Sequence, residues 1–267
     1  MGLFNWRKKP TPVRERRLSY QVANLQGRGT RERQEDSFAF ANALDVTEIL
    51  RKGLLAVVAD GMGGLKDGRE VSQACVAQVL SAFSDLDPEG DLAEQLRTWV
   101  DRANDALYDR FQGEGGTTLV ACLFLREQLW WLSVGDSCIY LLREGGLCRL
   151  NRDHNYLERL QLEAVREGRL DPETGLDDPD GPRLSSFLGA EEVELVDRSL
   201  RPLPLAGGDT LLLCSDGVGG VLSEHALRTC LEAPSAAEAC ARLEREVLAQ
   251  ARRNQDNYTA LVIKCGY

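Results

Sequence analysis

The chain has 267 residues, with 32 Lys plus Arg, 42 Asp plus Glu, only 2 His and a formal net charge of −10. That length allows one large domain or two small ones, with a core that needs no disulfide or metal in order to fold. The acidic balance argues against nucleic acid as a partner, and two histidines cannot build a His-rich zinc site, so hydrolytic chemistry here points to carboxylates and a hard cation.

In chain order, the first 17 residues are the exception to the acidic character. Arg7, Lys8, Lys9, Arg14, Arg16 and Arg17 outnumber Glu15, a net of +5, beside Phe4 and Trp6. The expectation is a basic, disordered, solvated tail, preferred over contact with an anionic membrane surface. No run reaches the ~18 apolar residues of a membrane span, and the N-terminus lacks the apolar core of a signal peptide, which leads to a cytoplasmic expectation. Apolar runs of strand length follow at 18–24, 36–41, 54–59, 118–125, 129–134, 138–142, 193–199, 210–214 and 258–264. Between them, Val71, Cys75, Val79 and Leu80 repeat at helical spacing. A longer helix is expected through Leu92, Leu96, Trp99, Ala103, Ala106 and Arg110, with Asp87 and Pro88 as its N-cap and first turn. Ser235 with Glu238 reads as a capping box ahead of Cys240, Leu243 and Val247. The segment 155–187 begins helical and becomes acidic and turn-rich, as an inserted flap would. The predicted class is α+β, a layered sandwich of antiparallel sheets covered by helices, in one domain spanning 18–267. The eight cysteines show no Cys-x-x-Cys pair and read as buried thiols in a reducing compartment.

Three apolar strands each stop at an aspartate beside a small residue: Asp60-Gly61, Gly135-Asp136-Ser137 and Asp216-Gly217. Glu35 and Asp36 precede another strand, and Asp256-Asn257 precede the last. A strand end is a rigid platform, and aspartates converging from five places repel one another unless cations neutralise them. Oxygen-only ligands select Mg²⁺ or Mn²⁺. Taken singly, each Asp-Gly pair is ordinary turn punctuation. Gly61, Met62, Gly63 and Gly64 lack both the third glycine of a dinucleotide loop and the lysine of a Walker loop.

Taken together, the motifs resemble the metal-dependent protein phosphatases of the protein phosphatase 2C family, in their bacterial form. The elements run in family order: Arg31-Glu32-Arg33-Gln34-Glu35-Asp36, Val58-Ala59-Asp60-Gly61-Met62-Gly63-Gly64, Gly116-Thr117-Thr118, Val134-Gly135-Asp136-Ser137, Asp153-His154, Cys214-Ser215-Asp216-Gly217 and Gln255-Asp256-Asn257-Tyr258-Thr259. The resemblance implies an α+β fold of two central antiparallel β-sheets sandwiched between helix layers. It also implies that Asp60 bridges two metal ions, that the Gly61 carbonyl binds one, and that Asp216 and Asp256 complete the other. Glu35 and Asp36 would act through metal-bound waters, Asp136 would serve a third, weaker ion, and Arg31 would grip the substrate phosphate with its planar fork. The implied activity is hydrolysis of phosphoserine and phosphothreonine in proteins by a metal-activated bridging water, with two Mn²⁺ or Mg²⁺ ions and no phospho-enzyme. The implied substrates are phosphoproteins, those of a bacterial Ser/Thr kinase counterpart, acted on by a monomer.

Four positions depart from the family pattern. Gln34 replaces Asn, Met62 stands where eukaryotic members carry a histidine, Cys138 follows Gly-Asp-Ser where Arg is usual, and Gly220 occupies a common Asp position. The last leaves the third metal open but not the first two. His154 is read as structural ahead of catalytic. The competing reading is a catalytically silent, phosphatase-like binding module; a two-carboxylate glycosidase would need an acid in an apolar pocket and no metal.

Overall fold

The computed structural model describes residues 17–62, 68–169, 171 and 173–267. The basic tail up to residue 16 and Gly63 and Gly64 therefore lie outside the described residues. The strands are β1 (Ser19–Gly27), β2 (Ser37–Ala41), β3 (Leu54–Ala59), β4 (Leu119–Leu125), β5 (Gln128–Val134), β6 (Cys138–Arg143), β7 (Gly146–Arg149), β8 (Asp197–Arg198), β9 (Leu203–Pro204), β10 (Thr210–Cys214) and β11 (Tyr258–Gly266). The helices are α1 (Val46–Lys52), α2 (Gly68–Ser84), α3 (Leu92–Phe111), α4 (Tyr156–Arg166), α5 (Asp216–Gly219), α6 (Glu224–Leu231) and α7 (Ala236–Ala249).

Two antiparallel sheets form, one in the order β1-β11-β10-β6-β7 and the other β2-β3-β4-β5-β8, with β9 pairing β5. Strand β3 shows why they stack. All six of its residues are buried, but Leu54, Ala56 and Val58 face the interior between the sheets, while Leu55, Val57 and Ala59 face α2 and α3. This period of two puts one apolar layer on each side of the strand. Phe124, Ile139, Leu213 and Leu261 fill the inter-sheet core, and Leu212, Val262, Leu227 and Leu243 pack the other sheet against α6 and α7. Helix, sheet, sheet and helix thus form four layers; the strand and helix patterns led to helix-covered antiparallel sheets, and the family resemblance implied the pair of sheets.

Three expectations change. The long helix starts at Leu92 with Asp91 as N-cap, its carboxylate accepting from the Glu94 N–H, while Asp87 instead caps its own turn by accepting from the Glu89 N–H. The run 193–199 yields only the two-residue β8, paired with Leu132 and Ser133, beyond which Ser199 bonds the Trp131 carbonyl through its N–H and the Trp131 N–H through its hydroxyl. Cys148 lies exposed on the edge strand β7, whereas the other seven cysteines are buried; all eight are free thiols.

Candidate metal centre

Antiparallel pairing explains why the acidic residues meet. Ser37 opens β2 opposite Ala59 at the end of β3, and Ala260 near the start of β11 faces Cys214 at the end of β10. The end of one strand and the start of its neighbour therefore share an edge. This places Asp36 beside Asp60, and Asp256 beside Asp216, all at one end of the sandwich. Asp136 joins them from the turn between β5 and β6.

Hydrogen bonds to backbone or carboxylate fix these acidic residues in place. Asp60 donates its N–H to Thr118 Oγ1 at 3.1 Å, and its carbonyl accepts from the Thr118 N–H at 2.9 Å and Thr117 Oγ1 at 2.8 Å. Asp36 is buried, and its Oδ2 accepts from Ser215 Oγ at 2.9 Å and from Thr259 Oγ1 at 2.7 Å. Asp256 Oδ1 accepts from the Asn257 N–H at 2.8 Å, and its Oδ2 accepts from Arg31 Nη2 at 2.6 Å. Glu35 is fixed through its backbone, its N–H donating to Asn257 Oδ1 at 2.8 Å and its carbonyl accepting from Ser72 Oγ at 2.5 Å. Gly61 has no room for a side chain, since a Cβ there would lie 2.2 Å from the Gly68 carbonyl oxygen and 2.6 Å from that of Glu35. The glycine is needed for close backbone approach at the centre of the site.

Crowding raises the proton affinity of the whole group. Burial, then Asp36, Asp216 and Asp136 in turn, push Asp60 well above the ordinary carboxylate range; its surface edge is partly open, yet the surrounding acids enclose it. Burial lifts Asp36 to about 6 against the opposing hydrogen bonds from Thr259 and Ser215, and burial with Asp216 and Asp153 lifts Asp136 to about 7. Asp216 is raised by burial and by Asp256. Asp36 Oδ1 is buried with no hydrogen-bond partner. An orphan buried carboxylate oxygen among mutually repelling acids, with only oxygen donors around it, fits hard divalent cations. The donors are gathered rather than preset: among the described residues no three His, Cys, Asp or Glu side chains already form a ligand group, and Asp256 is engaged by Arg31.

His154 stands apart from this centre. It is buried, its Nδ1 accepts from the Gly135 N–H at 3.2 Å, its own backbone N–H donates to the Gly135 carbonyl, and its Nε2 is 3.7 Å from Asp197, beyond hydrogen-bond reach. It braces the turn carrying Asp136. A Cβ on Gly220 would sit 3.0 Å from the Asp216 carbonyl oxygen, so the position that departs from the family pattern does border the cluster. Sequence reasoning assigned no role to Ser215, Thr259, Thr118 or Asn257, although each lies inside a quoted motif. No local signal marked them, since Thr118 serves Asp60, and Ser215 and Thr259 serve Asp36, from distant parts of the chain. It also missed Arg149, which pairs with Asp153 and reaches the Asp136 carbonyl at 3.5 Å.

Residues 28–255 match the family model described as protein phosphatase 2C. The chain is 35% identical over 215 residues to the serine/threonine protein phosphatase PstP of Mycobacterium tuberculosis, a match covering 78% of this chain and 40% of that protein; the chain thus spans well under half of that relative's length. The crystal structure of the Mycobacterium tuberculosis phosphatase PstP/Ppp superposes with a TM-score of 0.75 at 31% identity, covering 93% of this chain and 99% of the other. The catalytic domain of PstP in complex with 2 manganese ions superposes with a TM-score of 0.72 at 30% identity, covering 94% and 100%. Family model, relatives and architecture agree with the ordered motifs and the gathered aspartates: the chain belongs to the protein phosphatase 2C family.

Proposed function

We propose that the chain hydrolyses phosphoserine and phosphothreonine in proteins, with the acidic end of the sandwich as its active site. The observation that carries this reading is the convergence of Asp36, Asp60, Asp136 and Asp216 at raised proton affinity, with Arg31 at the same edge. Asp60, the Gly61 carbonyl, Asp216 and Asp256 would hold two divalent cations, Mn²⁺ or Mg²⁺, directly, and Glu35 and Asp36 would hold them through water. Asp136 would serve a third. When bound, such ions supply Lewis-acid charge and a water of lowered pKa.

The residues of the chain position the rest. Arg31 is half exposed, so its guanidinium can turn from Asp256 to two phosphoryl oxygens, a bidentate contact that fixes the phosphate against the acidic cluster. Ser215 and Thr259 keep Asp36 from rotating, and Thr118 keeps Asp60 at the end of β3. The flap at 155–187 ends beside the site, where a Cβ on Gly116 would meet both Met62 Sδ and the Phe187 ring. That placement supports a part in choosing substrates. Those substrates would be the phosphoproteins of a bacterial Ser/Thr kinase, met in the cytoplasm by a monomer. Among the described residues no helix is long and apolar enough to cross a membrane. Manganese-dependent phosphate release from a phosphothreonine peptide tests the proposal. Asp60→Asn should reduce it by at least about a hundredfold, more than the loss of a partner behind a metal ligand costs; full activity in that variant, or none in the parent chain, would favour the silent binding module.

A further inference from the structure

The rim of the acidic site carries the opposite charge. Two loops meet there: Thr30 donates both its N–H (2.9 Å) and its Oγ1 (3.1 Å) to the Gln255 carbonyl, and Asn257 Nδ2 donates to the carbonyls of Arg28 (2.9 Å) and Arg33 (3.0 Å). Arg28 and Arg33 are exposed on one loop, Arg252 and Arg253 on the other. A third segment adds Arg69, exposed on the first turn of α2, directly after Gly68, where a Cβ would lie 3.2 Å from Glu35 Oε1. Many arginines elsewhere are paired with carboxylates, as Arg51 is with Glu48, Arg97 with Asp101, Arg126 with Glu89 and Arg242 with Glu238. Among the described residues, Arg33, Arg69, Arg252 and Arg253 have no ion pair and no side-chain hydrogen bond. Glu32, also exposed, is the acid interleaved with them in the first loop.

We propose that this arginine rim is a docking surface for acidic phosphopeptides, those with Asp or Glu flanking the phosphorylated residue. The inference rests on the phosphatase reading above. A chain of net charge −10 repels an acidic peptide at long range, but at physiological salt that repulsion is screened beyond roughly 8 Å, so the charges lining the mouth decide the encounter. Unpaired guanidinium groups at the mouth present free donors to carboxylates and raise the local concentration of anionic substrate. Arg31 recognises the phosphate, and the rim recognises its neighbours. Basic-flanked peptides would meet like charge.

The test uses the full chain loaded with Mn²⁺ and three substrates: phosphothreonine peptides of equal length with acidic or basic flanks, and p-nitrophenyl phosphate. The acidic peptide should have kcat/KM about tenfold above the basic one at low salt, a gap that narrows as salt rises. The combined variant Arg33→Gln, Arg69→Gln, Arg252→Gln, Arg253→Gln should lose that preference while turning over p-nitrophenyl phosphate as the parent does. The matching Arg→Lys variant should keep much of it. No preference in the parent, or a preference that survives in the Gln variant, would overturn the proposal. Parent binding to anionic vesicles that the Gln variant loses, without any peptide preference, would overturn it in favour of a membrane role. Absence of p-nitrophenyl phosphate turnover in the parent would instead defeat the hydrolase reading, and anisotropy with the acidic phosphopeptide would still report whether the rim binds it.

Discussion

Asp36 takes its hydrogen bonds from Ser215 and Thr259, residues 179 and 223 positions further along the chain. Its raised proton affinity is therefore a tertiary property, and so is its consequence. Folding lifts Asp36 to about 6 and Asp136 to about 7, against roughly 3.9 for an unfolded aspartate. The folded chain thus binds more protons than the unfolded chain between about pH 4 and pH 7, and without metal its stability falls as pH rises through that window. Divalent cations bind the ionised carboxylates and should reverse this. Thermal unfolding with chelator and with Mn²⁺ checks it: the metal should raise Tm more at pH 8 than at pH 5.5, and an equal gain at both would count against a cation-binding cluster. At this scale the acids were legible in the sequence, because an Asp at the end of an apolar run stands out. Their hydroxyl and amide partners were not, because nothing local distinguishes Thr259 from any other strand threonine.

Among the elements, the fully apolar runs are the best read. Leu54–Ala59 and Thr210–Cys214 appear as strands with the expected bounds, since a central strand buried on both faces leaves no room for polar interruption. Short elements were harder. Helix α1 has Asp45 as a capping residue but no buried side chain, so no apolar stripe announced it. The entry to α3 was misplaced because Asp87-Pro88 and Asp91-Leu92 both offer an acid before a helical pattern, and only the Asp91 side chain faces the free N–H groups of the first turn. Asp91→Ala should therefore cost about 1 kcal/mol of stability, and Asp87→Ala about 0.5 kcal/mol or less, by urea denaturation. Equal losses would argue against this assignment of the cap.

The whole molecule is set by the layer between its sheets. Phe124 is fully buried there and meets Tyr20 edge-to-face at a ring separation of 5.3 Å, joining β4 of one sheet to β1 of the other. Phe124→Ala should destabilise the fold by about 3–5 kcal/mol in chemical denaturation. A loss below about 1 kcal/mol would mean that the two sheets do not depend on a shared core. The α+β class followed from the grouping of strand patterns and the pair of sheets from the family resemblance, but strand order could not be read locally. Strand β11 lies between β1 and β10, pairing Ser19 with Gly266 and Thr210 with Lys264. Of the strands in this sheet, a ribosome delivers that inner one last. Until it emerges, β1 has no neighbour in its sheet, and Asp256 has not joined Asp60. A nascent chain is thus without its full set of acidic ligands until the segment leading into β11 has been made, and a truncation that removes β11 would leave two exposed strand edges for other chains to pair with.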